Sequence, residues 1–217
     1  MLKKLTQEKM IEILETGIAE FAKCGLDRAN MNVIAKKAGI SVGVLYKYYE
    51  DKEAFFLACL RRSLEVLDSV LKEIVSGNDK ILVRAEKLIR AVLQYSREYG
   101  NYINMYNEIT SGSSKKFAPL LASEIEGVTS KTYTAFIQRA MDDGDIRDDI
   151  DPRLFAFFFD NLLTTLQFSY SCDYYKERLK VYCGEDIFEN DEKVVLEMLK
   201  FVESAFTFTQ SDIKHIE

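Results

Sequence analysis

The sequence predicts an all-α protein, with an N-terminal three-helix helix-turn-helix head on a larger C-terminal helical bundle that contains a dimerisation helix pair. Three observations predict it. Apolar residues recur at helical spacing along most of the chain, and no stretch alternates as a strand would. Only two prolines and ten glycines interrupt 217 residues of which 47% are hydrophobic, a composition suited to a compact helical core. The stretch from Asn30 to Lys52, NMNVIAKKAGISVGVLYKYYEDK, reads as two short helices joined by a glycine-containing turn.

In the head, Thr6 is placed to cap a first helix whose Ile11, Leu14, Ile18 and Phe21 share one face, and Gly25 ends it. Asn30 caps a second helix carrying Met31, Ile34, Ala35 and Ala38, and Gly39 lets the chain leave it through the left-handed region. Ser41 caps a third, Val42 to Tyr49. Its Leu45 and Tyr49, four apart, face the core; Gly43, Val44 and Lys47 come out opposite, flanked by Tyr46 and Tyr48. Asp51 caps a fourth helix, Lys52 to about Ser76, with Phe55, Leu60, Leu64, Leu67 and Leu71, closed by Gly77-Asn78.

A plain αα-hairpin would share this outline, but the exposed face of the third helix favours DNA. It carries small residues and a lysine, and Gly43 permits close backbone approach near the helix start. Val42, Gly43, Val44 and Lys47 are candidates for base-edge contacts: valine methyls against thymine methyls, the ammonium against guanine acceptors or a phosphate. Asn30, Asn32, Ser41, Tyr46, Tyr48 and Lys52 are candidates for fixing register on the phosphate backbone.

The segment AKKAGISVGVLYKYYEDKEAFF resembles the DNA-binding head of the tetracycline-repressor (TetR) family of bacterial transcription regulators. The shared pattern runs through Ile34, Ala35, Ala38, Gly39, Ser41, Gly43, Leu45, Tyr46, Tyr48, Tyr49, Lys52 and Phe55. Val33 departs from it, where many members carry a polar residue, and Val42 is less polar than usual. The resemblance covers roughly the first quarter of the chain. It implies a transcriptional regulator of the repressor type, binding a double-stranded DNA operator as a homodimer and released by a small-molecule inducer held in the body. It implies the division into a helix-turn-helix DNA-binding domain, 1–52, and a helical ligand-binding and dimerisation domain, 53–217. Two-fold symmetry in such a dimer calls for a pseudo-palindromic operator.

The body reads as further helices: Ile81 to Tyr99, broken at Gly100-Asn101; Tyr102 to about Thr110, followed by a polar loop at 110–116; and one opened by Pro119 and ended before Gly144. Asp151 and Pro152 cap and open a helix that is apolar around most of its circumference; residues 192–208 form another apolar one. Such helices need neighbours on every side, so Phe155, Phe158, Phe159, Leu162 and Leu166, with Val195, Leu199, Val202 and Phe206, are the candidate dimer interface. The resemblance implies the same pairing, as a four-helix bundle. Residues 172–191 read as a loop with a helical piece.

Tyr95, Tyr99, Tyr102 and Tyr106 are spaced 4, 3 and 4 apart, which ordinary packing explains unless they line a pocket. The pocket reading takes Tyr95, Tyr99, Tyr102, Met105, Tyr106, Phe136 and Asn161 as the wall of a largely apolar ligand site.

Charge is divided unevenly. Residues 1–52 hold nine Lys/Arg against seven Asp/Glu, net +2; the other 165 hold twenty against twenty-eight, net −8. A mildly basic head on an acidic body turns the head toward DNA. Four scattered cysteines without C-x-x-C read as free thiols. The charged N-terminus is not a signal peptide and no apolar run approaches the ~18 residues of a membrane span, so a cytoplasmic location is expected. An enzyme finds little support: one histidine, His215, no phosphate-cradling glycine loop, and no metal-spaced ligands. The aspartates at 142, 143, 145, 148, 149 and 151 lack the glycine and terminal glutamate of a calcium loop. No cofactor or metal is expected. A ligand-independent helix-turn-helix adaptor controlled by protein contacts, or a helical enzyme, remain the alternatives.

Overall fold

The structure, a computed structural model, describes residues 5–75, 79–113 and 118–207. Among these residues every regular element is helical: α1 (Gln7–Arg28), α2 (Met31–Lys37), α3 (Val42–Tyr48), α4 (Lys52–Val75), α5 (Ile81–Glu98), α6 (Gly100–Glu108), α7 (Ala118–Asp142), α8 (Pro152–Ser171), α9 (Asp173–Cys183) and α10 (Asp191–Thr207). Ser76 with Gly77-Asn78, the tail of the 110–116 loop and His215 lie outside the described residues.

The caps anticipated from sequence are formed. Thr6 Oγ1 accepts from Lys9 N at 3.2 Å, Asn30 Oδ1 from Asn32 N at 2.9 Å and Ser41 Oγ from Val44 N at 3.3 Å. Asp51 Oδ1 accepts from Ala54 N at 2.7 Å, and Asp151 Oδ1 from Arg153 N at 2.8 Å. Each satisfies an amide that the first helical turn leaves without a partner. Gly25 breaks α1 at φ +69°, and Gly39 turns the chain out of α2 at φ +65°.

Four details differ from the sequence expectation. In α1 the buried face is Ile13, Gly17, Ile18 and Phe21; Ile11 and Leu14 are only half-buried. The break between α5 and α6 falls at Tyr99 (φ −116°, ψ 40°), and Gly100 is already the first residue of α6. Residues Ile109–Ser113 continue α6 as a π-helical turn before any loop begins. The charged 172–191 stretch is mostly regular, forming α9 and a 3-10 turn over Glu185–Glu189.

The chain forms two compact units. The first is Met1–Leu67 with Tyr99–Ala118, the second Asp68–Glu98 with Pro119–Glu217. In the first, α6 packs along α1, and the core gathers Ile13, Ile18, Phe21, Ile34, Leu45, Phe55, Phe56 and Met105. Phe21 meets Phe56 edge-on at 5.0 Å between centroids. In the second, α5 packs against both α8 and α10 through Ala85, Leu88, Ile89, Leu93, Phe159, Leu163, Val195 and Val202. Phe155 stacks on Phe206 at 5.0 Å. No helix among the described residues is long and apolar enough to cross a membrane.

Candidate nucleic-acid interface

The helix-turn-helix is assembled from short-range hydrogen bonds. Ala38 N donates to Ile34 O at 2.9 Å to end α2, and Ile40 N reaches back to Ala35 O at 3.0 Å across Gly39. Ser41 then starts α3. Leu45 is buried and Tyr49 meets the Phe55 ring edge-on at 4.9 Å, which fixes the inner face of α3 against α4. Burial raises the Tyr49 phenol pKa above its ordinary value, with the nearby Cys59 adding to the shift.

The outer face is thereby defined. Gly43, Tyr46, Lys47 and Tyr48 are exposed, and Val42 and Val44 are half-buried beside them. Asn30, Asn32 and Ser41 are exposed too, although Asn30 and Ser41 direct their side-chain oxygens at capping. The Tyr48 hydroxyl accepts a hydrogen bond from Leu5 N at 3.0 Å, tying the backbone before α1 to the end of α3. Lys52 is engaged within the head: its ammonium donates to Asp27 O at 2.9 Å and Ala29 O at 3.3 Å. Lys37 pairs with the buried Glu20 at 2.8 Å, joining α2 to α1. The lysine facing outward in the last turn of α3 is therefore Lys47.

Sequence reasoning passed over Gly17. A Cβ there would stand 2.5 Å from Phe55 Cζ and 2.7 Å from Cys59 Sγ, so the glycine lets α1 and α4 approach closely. It also passed over the link from α6 to the head. The Tyr102 hydroxyl donates to Glu15 Oε1 at 2.6 Å, and Arg62 Nε donates to the same oxygen at 3.3 Å. Burial, then the bond to Glu15, pushes the Tyr102 pKa up.

The residues expected to line a ligand pocket fall in both units. Tyr99, Tyr102, Met105 and Tyr106 belong to the first, where Tyr102 and Met105 are buried and Tyr99 lies 5.1 Å from Tyr102 between rings. Tyr95, Phe136 and Asn161 belong to the second. Asn161 is exposed, its Nδ2 donating to Phe157 O at 2.7 Å. Phe136 is buried on the wall of a cavity of about 380 Å³, with Ile81, Arg84 and Ala140 among its neighbours there.

Of the candidate interface residues, Phe159, Val195, Val202 and Phe206 are buried within the chain, Phe155, Leu166 and Leu199 half-buried, and Phe158 and Leu162 exposed. Leu154 and Phe157 continue the exposed stripe on α8, and Leu196 and Phe201 are exposed on α10.

Fold and surface together define a helix-turn-helix head with the outer face of α3 exposed. Residues 13–59 match the family described as bacterial regulatory proteins, tetR family. The HTH-type transcriptional regulator RutR of Escherichia coli (strain K12) is 30% identical over 116 residues, 53% of this chain and 52% of RutR. The chain thus spans about half the length of the curated relatives it matches. Among solved structures, a putative TetR-family transcriptional regulator from Rhodococcus sp. superposes with TM-score 0.71 at 18% identity, covering 93% of this chain and 100% of that one. AibR in complex with isovaleryl coenzyme A and operator DNA superposes with TM-score 0.66 at 15% identity, covering 89% and 97%. Over residues 13–59 the chain is similar to that family, and over most of its length it shares the fold of these solved structures.

Proposed function

We propose that the protein is a transcriptional repressor that binds a pseudo-palindromic operator as a homodimer in the cytoplasm and is released by a small, largely apolar ligand held in its helical body. The observation that carries the DNA reading is the outer face of α3. Gly43, Tyr46, Lys47 and Tyr48 are exposed on a helix whose opposite side is locked by Leu45 and Tyr49. A helix held from behind, with small residues and one free-facing cation in front, suits insertion in a major groove. The 1–52 and 53–217 division assigns this surface to the head and ligand and partner contacts to the rest.

The dimer reading rests on the stripe of Leu154, Phe157, Phe158 and Leu162 along α8, with Phe201 on α10. Phe157, Phe158 and Phe201 are 60–61% exposed, a larger apolar surface than a solitary helical chain usually presents. The ligand reading is supported by AibR, whose crystals hold both an acyl thioester and operator DNA on a similar fold. Chemistry on a bound molecule is no part of the proposal.

The experiment is selection of DNA from a random pool by the intact protein, followed by affinity measurement at several salt concentrations. Affinity for the selected sequence is expected to exceed that for random DNA and to fall steeply with salt as counterions are released. Replacing Tyr46 and Lys47 by alanine is expected to weaken binding by about 1–3 kcal/mol where a base contact is lost. Equal affinity for selected and random DNA refutes the proposal.

A further inference from the structure

We propose that Lys3 and Lys4 form a basic arm that grips the DNA phosphate backbone beside the outer face of α3, and that the bond between Leu5 and Tyr48 holds the arm there. The proposal deepens the operator reading by adding a contact from outside the helix-turn-helix, and it rests on that reading for its ligand.

The charge of the head points to this pair. Residues 1–52 carry nine Lys/Arg and seven Asp/Glu, net +2, and Lys3 and Lys4 are two of the nine. Without them the count is seven against seven, so the whole positive excess of the head lies in these two residues. Several of the other cations are used within the head. Lys37 pairs with Glu20 and Lys9 with Glu12, both at 2.8 Å, while the Lys52 ammonium donates to two backbone carbonyls. Lys36 and Lys47 are exposed on α2 and α3, and further cations beside them add directly to the attraction for a polyanion.

Two contacts place the start of α1 on that side. Leu5 N donates to the Tyr48 hydroxyl at 3.0 Å, across 43 residues of sequence. Lys9 Nζ lies 3.8 Å from the position a Cβ would take on Gly39, at the turn between α2 and α3. Lys4 and Lys3 are joined directly upstream of Leu5 and lie outside the described residues. Covalent geometry keeps their Cα atoms within about 3.8 and 7 Å of the Leu5 Cα. Tyr48 is exposed, and a hydroxyl that accepts from Leu5 N keeps its own hydrogen for another acceptor. A phosphate oxygen bound at Tyr48 is therefore a phosphate within reach of the arm. Lysine ammonium groups act on phosphates as point charges, so the arm adds affinity and leaves sequence choice to α3.

The test measures affinity of the intact protein for a duplex selected from a random pool and for an unrelated duplex of equal length, at several salt concentrations. Lys3→Ala/Lys4→Ala is expected to weaken binding to both by the same factor, because phosphates carry no sequence information. It should also flatten the slope of log affinity against log salt by about two per chain, roughly one for each lost lysine–phosphate contact. Tyr48→Phe keeps the ring and removes the acceptor for Leu5 N. Its effect is expected to be larger with Lys3 and Lys4 present than in the Lys3→Ala/Lys4→Ala background, whereas a phosphate contact made by Tyr48 alone costs the same in both. An unchanged salt slope overturns the proposal, as does a loss confined to the selected duplex or an equal effect of Tyr48→Phe in the two backgrounds. If the wild type binds both duplexes equally, the operator reading fails while the change in salt slope still decides the arm. A wild type that binds neither duplex overturns both.

Discussion

Replacing Gly17 by alanine asks whether the approach of α1 to α4 is as tight as the geometry requires. The added methyl would lie 2.5 and 2.6 Å from two carbons of the Phe55 ring and 2.7 Å from Cys59 Sγ. Neither neighbour has room to retreat. Phe55 is fully buried between Tyr49, at 4.9 Å, and Phe21, at 5.9 Å, and Cys59 is buried with its thiol donating to Leu14 O. Overpacking of this kind costs about 1–3 kcal/mol. Alanine is a better helix former than glycine by about 1 kcal/mol, which offsets part of it. Gly127 in α7 supplies the control, because a Cβ there meets nothing within 4 Å. Gly127→Ala should therefore stabilise by roughly 0.5–1 kcal/mol. The two variants differ by about the overpacking term of 1–3 kcal/mol. Denaturation midpoints followed by circular dichroism measure the difference. Operator affinity should fall for Gly17→Ala alone, since Phe55 buttresses Tyr49 behind α3. If Gly17→Ala stabilises as much as Gly127→Ala, the close contact is not real.

Two more changes probe the body. Burial, reinforced by Glu126, raises the Asp160 pKa to about 6, while Thr129 opposes the shift. A carboxyl with a raised folded pKa contributes stability that is complete below its unfolded value near 4 and is lost as pH climbs through 6. Asp160→Asn should accordingly raise the melting temperature at pH 8, by about 1–3 kcal/mol in stability, and make little difference at pH 4; an equal gain at both pH values would contradict the assignment. Phe158→Glu places a charge at an exposed position and should yield a folded monomer by light scattering. Phe206→Glu, buried on Phe155, should unfold the second unit instead, at a cost of about 3–5 kcal/mol or more. A monomeric wild type at micromolar concentration ends the dimer reading.

What could be read in the sequence was what is local. Asn30 with Asn32, Ser41 with Val44 and Gly39 at its turn each involve neighbours within a few residues, so residue type alone nearly decides their geometry. The inner side of α3, Leu45 and Tyr49, follows from helical period. Gly17 gave no signal because its meaning depends on Phe55 arriving from another helix. Tyr102 looked like one of a row of pocket aromatics; its bond to Glu15 spans 87 residues. In α1 two apolar stripes compete, and only packing chooses Ile13 over Ile11. The helix α9 was obscured because its apolar residues Tyr174, Val181 and Tyr182 face outward, leaving no amphipathic stripe to detect. Arg84 was one of many charged residues until Phe136 and Ile81 closed around it.

The bond from Tyr102 to Glu15 bears on how such proteins exchange parts. Recombination that grafts the first fifty or so residues onto a foreign body would carry Glu15 but leave its tyrosine behind. It would also uncover the side of α1 that α6 occupies, and would bring a stranger's residue to the place where Glu108 faces Gly25. The transferable piece of this chain is discontinuous, Met1–Leu67 together with Tyr99–Ala118. A single crossover cannot move it intact. A one-cut exchange must rebuild the α1–α6 seam, whereas substitutions at Gly43, Tyr46 and Lys47 change the outer face of α3 without touching that seam.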